Sequence, residues 1–163
     1  MSRKGRFNRM PIHEEHRTLP YSAEEMFGLV ADVASYPQFL PWTAAARIRS
    51  RKPFPGGEVM EADLVVSFKV FRERFGSRVT LWHERLVIDT EYIDGPFRYM
   101  KSQWRFTPRD DGGCEVDFTV DFEFRNAILQ KLIGVVFNEA MQRIVKAFES
   151  RAEALHGRHS ATG

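Results

Sequence analysis

The sequence predicts an α+β fold in which a curved antiparallel sheet of about seven strands wraps around one long C-terminal helix. Apolar and polar residues alternate strictly from Cys114 to Phe124, a pattern typical of a strand with one dry face and one wet face. Beyond Asn126 the apolar residues recur at helical spacing over about 30 residues, a length of about 45 Å. Such a helix would cross a whole sheet, and the dry face of the sheet would cover its apolar stripe.

The first strand and two short helices are predicted near the N-terminus. Residues 11–19 alternate weakly, which indicates a strand with two mixed faces. Ser22 suits the N-cap of a helix, and Glu25 completes a capping-box pattern. Pro37 is expected to end that helix, and a second short helix or turn is expected over residues 36–41. The two short helices would close one end of the groove in the sheet. The apolar stripe of the first helix consists of Met26, Phe27, Leu29, Val30 and Val33.

Five further strands are predicted before the last one, each bounded by turn residues such as Gly and Pro. They are expected over residues 43–50, 58–68, 70–82, 84–92 and 98–107. Residues 110–113, Asp-Asp-Gly-Gly, supply a hairpin turn before the final strand.

The long helix carries one apolar face, and Gly157 is expected to end it. The apolar face consists of Leu129, Leu132, Ile133, Val136, Phe137, Met141, Ile144, Val145, Phe148, Ala152 and Leu155. We find no linker that would divide the chain. We therefore expect a basic, flexible N-terminus over residues 1–10, one domain over 11–156 and a flexible tail over 157–163.

The composition favours a large apolar interior and gives weak evidence about charged partners. Fourteen Phe, four Tyr and three Trp suit either a thick core or the wall of an apolar cavity. The net charge of +2 alone does not indicate a nucleic-acid partner. Two basic clusters would nevertheless suit anionic lipid or RNA, with solvated surface as the simpler interpretation. They consist of Arg3, Lys4, Arg6 and Arg9 and of Arg47, Arg49, Arg51 and Lys52.

The sequence contains no motif that indicates catalysis, a metal site or a cofactor. It has no Gly-rich phosphate loop, no Cys-x-x-Cys spacing and a single cysteine, Cys114. His13 and His16 lie three positions apart on a predicted strand, so they should point to opposite faces and not share a metal ion. No stretch is long enough to span a bilayer, so any membrane contact should be peripheral.

Several sequence blocks resemble the coenzyme Q-binding START-domain family, a branch of the polyketide cyclase/dehydrase-like lipid-binding proteins. The opening block over residues 21–42 is similar to the start of that family. Phe75 with Ser77-Arg78-Val79 and Leu81 resembles its Phe-x-Ser-Arg-Val-x-Leu strand. Further matches are Gly95-Pro96-Phe97, Trp104-Arg105-Phe106 and the helix block from Ala147 to Ala152.

This resemblance implies a helix-grip fold that binds ubiquinone or a similar isoprenoid lipid and supports respiratory electron transport without catalysis. The protein would be cytoplasmic and would contact an anionic membrane peripherally at its inner face, or would lie on the matrix side of the mitochondrion in a eukaryote. It would serve respiratory complexes. The same family includes a toxin that blocks association of ribosomal subunits, and relatives by fold include polyketide cyclases; these are the alternatives.

The candidate ligand-binding residues are those expected to face the groove between sheet and helix. They are Phe39, Trp42, Leu64, Val66, Phe75, Val79, Trp104, Val120, Phe122, Val136, Phe137 and Met141. Pro37, Pro41 and Trp42 are expected to shape its entrance. One helix cannot fill a curved sheet of about seven strands, so a void or a ligand should lie between them.

Overall fold

Seven antiparallel strands form one sheet, in the order β1-β7-β6-β5-β4-β3-β2. The structure is a computed structural model, and it describes residues 12–68 and 71–162. The strands are β1 (Ile12–Leu19), β2 (Thr43–Phe54), β3 (Gly57–Phe68), β4 (Phe71–Trp82), β5 (Val87–Asp94), β6 (Phe97–Pro108) and β7 (Cys114–Phe124). The predicted sheet is confirmed, and β7 has the predicted bounds. The basic segment predicted over residues 1–10 lies outside the described residues.

Three helices accompany the sheet: α1 (Ala23–Ala31), a 3-10 helix (Val33–Gln38) and α2 (Ala127–Thr162). The predicted capping box is present, since the Ser22 hydroxyl accepts from Glu25 N–H and the Glu25 carboxylate accepts from Ser22 N–H, both at 3.0 Å. At the start of α2 the Asn126 side-chain oxygen accepts from two backbone N–H groups. The α2 helix lies across the concave face of the sheet, as the predicted helix-grip fold requires.

The two edge strands, β1 and β2, are joined by α1 and the 3-10 helix, which pass from one edge of the sheet to the other. The α1 helix buries Met26 and Val30 completely. The ring of Phe27 meets the rings of His83 and Phe106 edge-on, at centroid distances of 5.6 and 6.1 Å. These contacts place α1 over the end of the sheet that contains the β4–β5 turn. One end of the groove is therefore closed, as predicted.

Several predicted boundaries were wrong. The first helix ends at Ala31, and Pro37 lies inside the 3-10 helix that follows. A 3-10 helix of this length tolerates the proline because it is short and depends on few backbone hydrogen bonds. Gly157 does not end the long helix, which continues to Thr162. An isolated helical glycine costs only about 1 kcal/mol relative to alanine, so it does not force an end.

The strand predictions also needed adjustment at their ends. β2 extends past its predicted end to Phe54, and β5 begins at Val87 instead of residue 84. Residues 83–86 form the tight turn between β4 and β5, in which Leu86 has a positive φ of 56°. Sequence alternation does not distinguish such a turn from the strand beside it.

Polar contacts fix α2 on the β1 side of the sheet. The buried His13 ring is 3.0 Å from the Asn138 side-chain oxygen, and Arg17 donates to Glu149 at 3.1 Å. His16 points to the opposite face and contacts Asp117, as the spacing of the two histidines predicted. Two residues assigned to the apolar face of α2, Leu132 and Leu155, are instead about half exposed, at 53% and 50%. The helix is longer than the sheet surface that covers it.

An apolar cavity between the sheet and α2

A cavity with a volume of about 290 Å³ lies between the concave face of the sheet and α2. Strands β3, β4, β6 and β7 contribute several inward-facing side chains to its wall, β2 and β5 contribute Thr43 and Thr90, and α2 contributes one helix face. Ten of the twelve predicted ligand-binding residues line it. They are Trp42, Leu64, Val66, Phe75, Trp104, Val120, Phe122, Val136, Phe137 and Met141.

Two predicted residues, Val79 and Phe39, do not line the cavity. Val79 is on the correct face of β4 but lies beside Met60, at the end of the sheet that α1 covers, and is only 4% exposed. Phe39 packs against Phe148 and beneath the guanidinium of Arg151. Alternation identifies the face on which a residue lies, but it does not identify its depth along the strand.

Further aromatic rings, which the sequence analysis did not name as ligand-binding residues, complete the wall. Trp104 stacks on Phe118 at 4.3 Å, and Phe97 stacks on Phe124 at 4.7 Å. Phe137 meets the ring of Phe122 edge-on at 4.9 Å. Phe118 and Phe124 were identifiable as facing inward from the alternation of β7. The other aromatic lining residues that the sequence analysis missed are Tyr36, Phe68, Phe71, Phe97 and Phe148.

The cavity opens toward β3, the start of β4 and the first half of α2. Lining residues on β3 and at the start of β4 are half-buried, as are most of those on α2, whereas those on β7, and all but Ser102 on β6, are buried. Trp42 stands at this opening, with its ring edge-on to Phe68 at 5.4 Å. Its backbone is held in the left-handed region, at φ 62°, and its carbonyl accepts from Ser67 N–H at 2.8 Å. Pro37 and Pro41, which we also expected at the entrance, do not line the cavity.

The cavity wall is electrically neutral at physiological pH. Within residues 12–68 and 71–157, the side chains that line it include no Asp, Glu, His, Cys, Lys or Arg. Its one titratable side chain is Tyr36, whose hydroxyl donates to the Val30 carbonyl and whose pKa is raised by burial. In the described ranges, no group of three His, Cys, Asp or Glu side chains could hold a metal ion. The arrangement suits an uncharged, mostly apolar ligand.

The convex face of the same sheet is charged. Arg49 and Arg74 donate to Asp63 at 2.6 and 2.7 Å, and Arg47, 77% exposed, lies 3.9 Å from the same carboxylate. The hydrogen bond from Arg49 holds the pKa of Asp63 below its usual value. Of the basic cluster predicted from the sequence, Arg47 and Arg49 lie on this face of β2 and are partly neutralised by carboxylates. Arg51 lies opposite Met60 after a bulge in the strand and donates to Glu58.

A seven-stranded sheet closed by one long helix over an apolar cavity defines the class of helix-grip proteins. Residues 19–149 match the family described as polyketide cyclase / dehydrase and lipid transport. The chain belongs to this family, and its fold is the START-like, helix-grip fold.

Two curated relatives and one solved structure illustrate the range of this similarity. The ribosome association toxin RatA of Rickettsia prowazekii is 42% identical over 140 residues, which cover 84% of this chain and 92% of that protein. The mitochondrial coenzyme Q-binding protein COQ10 homolog B of Xenopus laevis is 33% identical over 152 residues, covering 90% of this chain and 59% of that protein. The solution structure of the 18 kDa protein CC1736 from Caulobacter crescentus has a TM-score of 0.76 and 32% identity, with coverage of 91% and 99%.

Enlarging Val120 should test whether the cavity holds a ligand. Val120 lines the cavity at the centre of β7, so Val120→Phe should fill part of it and reduce the capacity for an apolar fluorescent probe. Overpacking costs about 1–3 kcal/mol, which calorimetry will measure. Thr119→Phe adds a ring to the exposed face of the same strand and should leave probe binding unchanged. Equal binding by both folded variants would contradict the prediction.

Proposed function

We propose that this protein binds ubiquinone or a similar isoprenoid lipid in the central cavity and supports respiratory electron transport as a carrier. The observation that carries this proposal is the neutral wall of aromatic and aliphatic side chains around a cavity of about 290 Å³. That volume is at the lower end of the range for pockets that hold small ligands. It suits a ring and the first part of a tail, with the remainder emerging at the opening.

The energetics suit a ligand that exchanges. Burial of about 300 Å² of apolar ligand surface gives a gross free energy of about 7 kcal/mol, before the costs of association. An apolar cavity that stays empty also forfeits dispersion contacts along its wall. A carrier needs binding that is favourable but reversible, and these magnitudes are consistent with it.

Binding without catalysis is part of this proposal. General acid–base chemistry needs a titratable group within hydrogen-bond reach of the reacting atoms. Of the described residues that line the cavity, only Tyr36 is titratable, and its hydroxyl is already engaged with Val30. The relative from Xenopus laevis is named for coenzyme Q binding, which supports the same ligand class. The cyclases in the family description make a cyclase-like activity the alternative.

Protein purified gently from its own host should contain ubiquinone above background in organic extracts. Ring absorbance and mass spectrometry will measure it. Trp104→Ala should lower the amount because it removes a lining indole, whereas Trp82→Ala, which removes an indole outside the cavity, should not. Repeated extracts that contain no quinone or other isoprenoid lipid would contradict the proposal.

We further propose peripheral contact with a lipid bilayer through an exposed apolar ridge on α2, formed by Ile128, Leu132 and Val135. Their exposed fractions are 80%, 53% and 81%. Leu132 and Val136 are neighbours at i, i+4 spacing, so the ridge adjoins the cavity wall at its opening. A bilayer is the reservoir of isoprenoid lipids, and it would cover this ridge. No helix in the described part of the chain has the length and apolarity needed to cross a membrane.

The variant Ile128→Gln with Val135→Gln should bind lipid vesicles more weakly. Both side chains are about 80% exposed, so the fold should survive, and inserted apolar side chains contribute about 1.5–3 kcal/mol each. Vesicle sedimentation will measure binding, with Lys146→Gln, an exposed position on the same helix away from the ridge, as the control. Undiminished binding that requires anionic lipid would assign docking to the basic residues Arg47, Arg49, Arg51 and Lys52 instead.

A second candidate function is association with ribosomes, and the charged convex face favours it. Arg47 is largely exposed, and Arg72 on β4 is exposed in the same region of the sheet. Exposed arginines suit phosphate groups of RNA. The relative from Rickettsia prowazekii is named for ribosome association, which supports this candidate.

Added protein should shift ribosome sedimentation profiles if this second function is correct. Arg47→Gln with Arg72→Gln should weaken the shift and its dependence on salt, because fewer phosphate contacts would form. Lys101→Gln, an exposed cation on β6, is the control. Profiles that do not change with the wild-type protein would exclude this role, and the cavity proposal would be unaffected.

A further inference from the structure

Three hydroxyl groups interrupt the apolar wall of the cavity. Ser77 on β4, Thr90 on β5 and Ser102 on β6 all line it. Thr90 lies directly opposite Ser102, and it lies diagonally from Ser77 because its direct partner on β4 is Val79. Directly opposed residues have Cβ atoms about 4.5–5.5 Å apart, and diagonal ones lie about 7–8 Å apart. The three hydroxyls therefore form one polar patch, which we call the hydroxyl patch.

The protein does not satisfy these hydroxyl groups itself. Across residues 12–68 and 71–157, none of the three side chains makes a hydrogen bond to another residue, although Ser77 is only 3% exposed. The Tyr92 hydroxyl, on the residue opposite Ser77, is buried and also has no partner in that part of the chain. Thr90 and Ser102 are half-buried, and the buried unpaired atoms of the described residues include the Tyr92 oxygen, which does not line the cavity, but none of the three hydroxyl oxygens. The three hydroxyl groups are therefore accessible from the cavity. A bound molecule would supply the missing acceptors.

The hydroxyl patch lies between the open and closed ends of the cavity. On β4, Ser77 separates Phe75, on the open side, from Val79, which is covered at the closed end. On β6, Ser102 similarly separates Met100 from Trp104. A polar ring at the patch would have apolar surface on both sides, and a tail attached to it would extend toward the opening.

We infer that Ser77, Thr90 and Ser102 form a head-group subsite for a neutral ring that carries carbonyl or ether oxygens, and that they orient its isoprenoid tail toward the opening. Hydroxyl groups donate to such oxygens. Among the described residues, the cavity wall has no cation to neutralise a phosphate or a carboxylate, and burying an unpaired charge is costly. A quinone therefore fits better than a phospholipid or a fatty acid. This inference rests on the proposed lipid-binding function.

Two probes with the same tail separate recognition of the head group from recognition of the tail. One is a dimethoxy-methyl-benzoquinone with a decyl tail, and the other is decylbenzene, which lacks oxygen. The triple variant Ser77→Ala, Thr90→Val, Ser102→Ala keeps the volume of each side chain nearly unchanged. It should bind the quinone about tenfold more weakly, which corresponds to about 1.4 kcal/mol. Its affinity for decylbenzene should stay within about twofold of the wild type.

The controls distinguish failure of the subsite from failure of the proposed function. Thr119→Val changes an exposed hydroxyl on the other face of β7 and should leave both affinities unchanged. If the triple variant does not fold, Ser102→Ala and Thr90→Val are measured singly and should each weaken quinone binding severalfold. Quinone binding that is equally tight in the folded variants would overturn the subsite alone. A wild-type protein that binds neither probe would overturn the lipid-binding proposal itself.

Discussion

A seven-stranded sheet is much broader than one helix, and the arrangement of the rest of the structure depends on this difference. Six interstrand spacings of about 4.8 Å give a breadth of about 29 Å, whereas a helix with its side chains is about 10–12 Å across. Contacts of His13 with Asn138 and of Arg17 with Glu149 hold α2 near β1. The apolar faces of β3 and β4 therefore do not pack fully on the helix, and the cavity extends over them from β6 and β7.

Aromatic side chains keep that space from collapsing. Trp104 is held by stacking on Phe118 and by an edge contact with Phe148 at 5.1 Å, and Phe97 is held in the same manner by Phe122 and Phe124. A ring that is fixed by two neighbours cannot turn into the void without losing both contacts. The wall thus stays open, and a fitting apolar molecule would gain dispersion contacts along it.

The sequence predicted the secondary-structure elements and the face on which each residue lies better than it predicted how far along the strand or helix the cavity and the core extend. Strict alternation located β7 and the inward residues Val120 and Phe122. With a period of two, only one of the two faces of the strand can be apolar, so the inward set is unambiguous. The same pattern could not show that Val79 lies under α1, since that depends on contacts distant in sequence. Leu132 was assigned to the buried face of α2 because its spacing is correct, yet the sheet does not reach it.

The period of two in the strands also separates the two candidate functions physically. Leu64 lines the cavity while its neighbour Asp63 binds arginines on the convex face, and Phe75 and Arg74 divide in the same way on β4. Substitutions on one face can therefore change its chemistry while the backbone and the other face remain as they are. Such independence lets one fold carry an apolar cavity and a charged surface together. It gives a physical reason why relatives of one chain can be named for a ribosome in one case and for coenzyme Q in another.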